Sequence, residues 1–126
     1  MTLSGRVRKK RRAWAFGRLA EEICSWHLRL RGYRILTRRF RTPVGEIDIV
    51  ARRGRILAVV EVKARKQRDT AAEAVSARQR QRIARTAEAF LQQRPGCAGL
   101  DVRFDVMLVT PWRLPLRMKD AWRITN

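Results

Sequence analysis

The residue pattern predicts an α/β fold: a central mixed sheet flanked by helices, in the order helix, three strands, helix, then one or two strands. Three observations carry that prediction. Apolar residues from Trp14 to Arg31 recur at helical spacing. Residues 45–65 alternate on both sides of a basic turn, as the two strands of a hairpin do. Ser76-Ala77-Arg78-Gln79 opens a second helical stretch, and Pro95-Gly96 stops it before a further alternating run from Val102 to Leu108.

The chain has 126 residues, with 30 Lys and Arg against 11 Asp and Glu, a net charge of +19. That excess implies a polyanionic partner, with nucleic acid ahead of a membrane surface. Cys24 and Cys97 are the only cysteines and form no CxxC, so neither zinc nor a disulfide framework is indicated. A reducing compartment, the cytoplasm, suits them. Arg6, Arg8, Lys9, Lys10, Arg11 and Arg12 crowd the start of the chain. No apolar stretch follows that would make this a secretory signal, and none is long enough to span a bilayer. Residues 1–13 are expected as a flexible basic arm, disordered when free and able to contact phosphates when bound. Residues 14–126 are expected to form one domain.

In the first helix two stripes stand out. Phe16, Leu19, Ile23, Trp26 and Leu30 make one; Gly17, Ala20, Glu21, Cys24 and Leu28 make the other. Glu21 thus sits among small and apolar residues, where a merely solvated glutamate is unexpected. Glu22, four residues after Arg18, has the spacing of an ordinary helix ion pair. His27, the only histidine, lies beside the first stripe without an acidic neighbour at helical spacing, which suits packing better than catalysis. Gly32-Tyr33 ends the helix, and Tyr33 to Arg41 reads as a strand. Arg38, Arg39 and Arg41 lead from it into the loop Thr42-Pro43-Val44, either as a solvated edge or as a grip on a phosphate backbone.

The hairpin carries the chemistry. Glu46, Asp48 and Val50 are expected on one face of its first strand, with Ile47, Ile49 and Ala51 on the other. In the second strand Ile56, Ala58, Val60, Val62 and Ala64 form an apolar face opposite Leu57, Val59, Glu61, Lys63 and Arg65. A two-residue loop at Arg53-Gly54 pairs even positions of the first strand with odd positions of the second. Asp48, Glu61 and Lys63 then project from one side, and a register slip of two residues preserves this. Two carboxylates on half-buried strands are costly without a partner, and a hard divalent cation such as Mg²⁺ is the natural one.

Lys66 to Thr70 reads as a loop. Ser76 as N-cap and Gln79 at the third position open a helix to about Gln93, with Ile83, Ala87, Phe90 and Leu91 toward the core. Arg78, Arg82 and Arg85 line its basic flank, and a helix N-terminus favours anions. In the next strand Arg103 is the expected ion-pair partner of Asp105. After Pro111 and Pro115, Leu116 to Thr125 reads as an edge strand. Trp112 and Trp122 are either packing residues or platforms for bases.

Asp48, followed after a hairpin by Glu61-Val62-Lys63, is similar to the signature of the PD-(D/E)xK, or restriction-endonuclease-like, nuclease superfamily. Gly17-x-x-Ala20-Glu21, Gly45-Glu46-Ile47-Asp48, Val60-Glu61-Val62-Lys63-x-Arg65 and Arg103-Phe104-Asp105-Val106 resemble the small bacterial YraN family over about Gly17 to Ile124. Arg39 departs from that pattern, where asparagine is usual, as does Arg78, where lysine is usual. The resemblance implies a restriction-endonuclease-like α-β-β-β-α-β core and a metal-dependent endonuclease acting on phosphodiester bonds, in DNA ahead of RNA. Asp48 and Glu61 would hold Mg²⁺ (or Mn²⁺), with the Val62 carbonyl as a further ligand and Glu21 as a third acid. Lys63 would act on the attacking water and on the charge at phosphorus. Arg65, Arg78, Arg82, Arg39 and Arg41 are the expected nucleic-acid contacts. A non-catalytic nucleic-acid-binding module, or a subunit whose site matures on assembly, fits the composition equally well. Oligomeric state stays open, a homodimer included.

Overall fold

The computed structural model describes residues 3–66 and 75–122, with side chains from Phe16 onward, Asp120 excepted. The basic side chains at 6–12, residues 67–70 of the expected loop and the end of the last strand beyond Trp122 lie outside the described residues.

Helix α1 (Leu3–Leu30) is longer than the spacing suggested. Its start moves from the expected Trp14 to Leu3, because the intervening Arg, Lys and Ala are good helix formers and no proline interrupts them. Its end is a left-handed cap at Gly32, φ +86°. There the Gly32 N–H donates to Arg29 O and the Tyr33 N–H to Leu28 O, the paired bonds of a Schellman motif.

Five strands form one sheet in the order β1 (Arg34–Thr42), β2 (Gly45–Arg53), β3 (Ile56–Ala64), β4 (Asp101–Val109), β5 (Leu116–Trp122). All neighbours pair antiparallel except β3 and β4, which are parallel. A parallel pair needs a crossover, and α2 (Ala77–Gln93) supplies it. The expected fold class and element order therefore hold, with two strands after the second helix.

The helices cover opposite faces of the sheet. Ala20, Cys24 and Leu28 of α1 pack on Ile49, Ala51, Ala58, Val60, Met107 and Val109. Ile83, Ala87 and Phe90 of α2 pack on Ile47, Val50, Leu57, Val59, Phe104 and Val106. The central strands are buried on both sides, which is why Leu57-Ala58-Val59-Val60 is a continuous apolar run. Of the two α1 stripes, the one with small residues faces the sheet. Leu19, Trp26 and Leu30 of the other remain half or more exposed.

Gly45 lets the start of β2 close on α2: a Cβ there would stand 2.9 Å from Thr86 Oγ1. At the other side of the sheet Asp105, fully buried, takes two bonds of 2.8 Å from Arg103, the expected partner, and one of 3.2 Å from Arg117. Both arginines also donate to the Tyr33 hydroxyl at 2.7 Å, tying β4 and β5 to the end of α1. Trp122 stacks on Phe104 and is a packing residue, whereas Trp112 is fully exposed.

Candidate metal and nucleic-acid site

The hairpin turn lies one step beyond the expected loop: Arg53 pairs with Ile56, leaving Gly54-Arg55 between them. Expected pairing of Arg52 with Arg55 is thus displaced by two residues, and the even-to-odd match survives. What changes is the far end. Pairing of β2 with β3 runs from Arg53↔Ile56 only as far as Ile49↔Val60. At the next position the backbone ladder gives way to a side chain, and the Val62 N–H donates to Asp48 Oδ2 at 2.8 Å.

Alternation in β2 breaks at the same place. Ile49 and Ala51 belong to the α1-side core, yet Ile47 belongs to the α2-side core with Val50. This corrects the expectation that Ile47 shares a face with Ile49, and with it the expectation that Asp48 and Glu61 project from one side. Asp48 lines a cavity of about 310 Å³ on the α1 side, together with Gly17, Glu21, Arg39, Glu46 and Val62. Glu61 and Lys63 turn to the first turn of α2. The two carboxyls still lie close enough to influence each other's titration. Burial raises the pKa of each. For Glu61 the Asp48 charge adds to this, while the Lys63 ammonium opposes it. For Asp48 the Val62 N–H is the chief opposing contact.

Around Glu61 a small triangle forms. Its Oε1 accepts from Gln79 Nε2 at 3.1 Å and lies 3.4 Å from Lys63 Nζ. Lys63 Nζ also donates to Gln79 Oε1 at 3.5 Å. Sequence reasoning placed Gln79 in a capping box and missed this role. Half of the box forms: Ser76 Oγ accepts from the Gln79 N–H at 3.2 Å. The Gln79 side chain turns to the site instead of back to the cap. Its signal in the sequence was only its place in the first turn of the crossover helix, the turn that sits at the C-terminal end of β3.

Glu21 faces the same cavity from α1, but its partner is Arg39. The Arg39 Nε donates to both carboxylate oxygens at 3.2 and 3.0 Å, and Nη2 stands 2.9 Å from Oε2. Burial and then the Asp48 charge raise the Glu21 pKa. Among the described residues no three acidic, histidine or cysteine side chains cluster closely enough to hold one metal ion. The arrangement is therefore a two-carboxylate pair with Glu21 at the cavity wall. Arg39 adopts φ +55°, the left-handed region that asparagine tolerates better than arginine. Its ion pair with Glu21 accompanies that conformation.

The other expected residues divide. Glu22 forms an ion pair with Arg38 of β1 at 2.8 Å, a cross-element contact beyond the helical spacing considered for it. Arg41 stands 3.3 Å from Glu46, its cross-strand partner. Arg65, Arg78 and Arg82 are exposed. His27 lies on α1 away from the carboxyl pair, its Nδ1 buried without a partner, as suits a packing residue. Burial first, then the Asp48 charge, push the Cys24 thiol up to about 12, so Cys24 is an inert core thiol.

Carboxylate oxygens such as those of Asp48 and Glu61 are donors of the kind that suits Mg²⁺ or Mn²⁺ better than zinc. No helix among the described residues is long and apolar enough to cross a membrane. The model of an uncharacterised protein family, UPF0102, matches residues 20–109, which include Glu21, Asp48, Glu61, Lys63 and Gln79. A UPF0102 protein of Parvibaculum lavamentivorans is 53% identical over 111 residues, covering 88% of this chain and 84% of its own. One from Paramagnetospirillum magneticum is 50% identical over 112 residues, 86% and 87% of the two chains. One from Nitrobacter winogradskyi is 51% identical over 110 residues, 87% and 93%.

Proposed function

The chain belongs to the UPF0102 family, and on that premise we propose that it is a metal-dependent nuclease that binds nucleic acid, DNA ahead of RNA, and hydrolyses its phosphodiester bonds. The observation that carries this reading is the nearness of two carboxyls, the partly buried Asp48 and the buried Glu61, where pairing of β2 with β3 stops, with Lys63 on Glu61 at 3.4 Å. Burying two like charges together is costly, and one ammonium offsets only one of them. Asp48, Glu61 and the Val62 carbonyl would hold Mg²⁺ or Mn²⁺. A bound divalent cation supplies polarisation of a phosphoryl oxygen and a more acidic water.

The chain's own residues do the rest. The Val62 N–H fixes one oxygen of Asp48, and Gln79 fixes Glu61 and Lys63 together, so the carboxyls are oriented before anything binds. Lys63, with its side chain 16% exposed, keeps its ammonium at the rim, where it can face the charge that builds on phosphorus. Arg65, Arg78 and Arg82 supply exposed cations around it. Arg39 and Arg41 are engaged by Glu21 and Glu46, so a phosphate reaching them competes with a carboxylate.

The Glu21–Arg39 pair supports a second reading, a binding module that keeps the fold without turnover, because it satisfies Glu21 internally. A substrate panel separates the two: single-stranded, duplex, flap and four-way-junction DNA, each with Mg²⁺, Mn²⁺ or EDTA. Metal-dependent cleavage of any member supports the nuclease. Tight binding with no cleavage and no heat of Mn²⁺ binding favours the module.

A further inference from the structure

At the opposite end of the hairpin a groove of about 670 Å³ runs between the β2–β3 turn and the C-terminal end of α2, lined by Arg34, Arg52, Arg53, Gly54, Arg94 and Gly96 with flanking residues. Arg34 and Arg52 are direct cross-strand partners. That places two like charges with Cβ atoms roughly 5 Å apart, an arrangement that destabilises a sheet unless something offsets it. Among the described residues neither has a carboxylate partner. The recorded ion pairs belong to Arg38, Arg39, Arg41, Lys63, Arg103 and Arg117.

Neutral contacts hold these cations in place. Arg52 Nε donates to Gly54 O at 3.0 Å. Arg53 donates to Arg31 O at 3.0 Å and lies 4.5 Å over the Tyr33 ring. Arg94 lies 5.4 Å over Phe90. The Arg52, Arg53 and Arg94 guanidiniums are thus held by neutral groups, with no ion pair among the described residues, and their side chains are exposed. Open space lies beside two of its glycines, since a Cβ at Gly54 or Gly96 would meet nothing within 4 Å.

We infer that this groove is a second nucleic-acid site, which takes the phosphodiester backbone at a distance from the carboxyl pair. Arg94 caps α2, and Gln79 sits in its first turn, so at about 1.5 Å rise per residue the two ends lie roughly 20 Å apart. A backbone that spans both would contact several successive phosphates, so the groove adds affinity and sets which stretch of the polymer meets Asp48 and Glu61. A polymer suits the site better than a bilayer: the surface is concave, and none of the exposed large apolar side chains lines it. The inference shares the nucleic-acid part of the proposed function and does not depend on hydrolysis.

The test compares the full chain with Arg34→Gln/Arg52→Gln/Arg94→Gln and with a charge-matched control, Arg29→Gln/Arg113→Gln/Lys119→Gln, drawn from exposed positions outside the groove. Duplex DNA affinity is measured in EDTA across a salt series, with circular dichroism to confirm folding. Each lost phosphate contact lowers the log–log salt slope by about 1, so the groove variant should lose about 3 and the control less than 1. Equal losses in the two variants would show a general field effect and overturn the site, as would no loss in the groove variant. Loss of binding to phosphatidylglycerol vesicles with DNA affinity intact would overturn it in favour of a membrane contact. If the wild type binds no DNA at all, the nucleic-acid reading falls with it; if it binds DNA without cleaving, only the nuclease reading does.

Discussion

Two aspartates, Asp105 buried and Asp48 partly so, should respond in opposite ways to the same substitution. Asp105 is fully buried and holds Arg103 and Arg117. Asp105→Asn removes the only recorded carboxylate from that cluster and leaves two side-chain cations that are 16% and 6% exposed. Breaking a buried pair in this way costs about 3–5 kcal/mol, a large part of the stability of a domain of this size. Asp48 instead faces another carboxyl, and its pKa is raised by burial. Asp48→Asn keeps an oxygen for the Val62 N–H and removes the repulsion. A carboxyl with a raised folded pKa carries no penalty below its ordinary value of 3.8. The penalty grows as pH climbs through the folded value. The variant should therefore match the wild type below about pH 4 and be the more stable of the two near pH 8 in EDTA. Urea melts at both pH values read this directly. A loss of stability in Asp48→Asn near pH 8, or a neutral Asp105→Asn, would refute the reasoning.

Gln79→Leu should cost about 1–3 kcal/mol, because the buried Glu61 carboxyl loses a hydrogen-bond partner; thermal melts check it, and cleavage should fall with it. Glu21→Gln should weaken the hold on Arg39 and reduce metal-dependent cleavage, whereas Glu22→Gln, on an exposed pair, should leave both stability and cleavage essentially unchanged. Parallel cleavage assays and melts separate these outcomes. Lys63→Met should leave Mn²⁺ binding by calorimetry in place while turnover falls roughly 10²-fold or more.

The fold was legible because its signals are local. Helical and strand periods, the cap at Ser76 and the stop at Pro95-Gly96 place both helices and all five strands in order. Candidate site residues were legible by type: Asp48, Glu61 and Lys63 do gather at the end of the hairpin. How they gather was not. Strict alternation assumes an unbroken ladder, and here β2 leaves β3 at Asp48, so Ile47 and Asp48, which precede Ile49, exchange faces. A break of that kind depends on the Val62 N–H finding a carboxylate instead of a carbonyl, a contact between strands that no period within one strand records. Gln79 was hidden for a similar reason, since its function depends on where the crossover helix begins relative to Glu61. Glu21 was legible as an unusual helix acid, while its pairing with Arg39 of β1 depends on a left-handed residue in a strand.

The most direct measurement of the central claim takes wild type and Asp48→Asn together through Mg²⁺-dependent cleavage and DNA affinity in EDTA. The account predicts cleavage by the wild type that EDTA abolishes, no cleavage by Asp48→Asn, and DNA affinity in the variant equal to or above that of the wild type, because one anionic group has left a surface that meets phosphates. Cleavage undiminished in Asp48→Asn would contradict it, as would a wild type that binds DNA but cleaves no substrate with either metal.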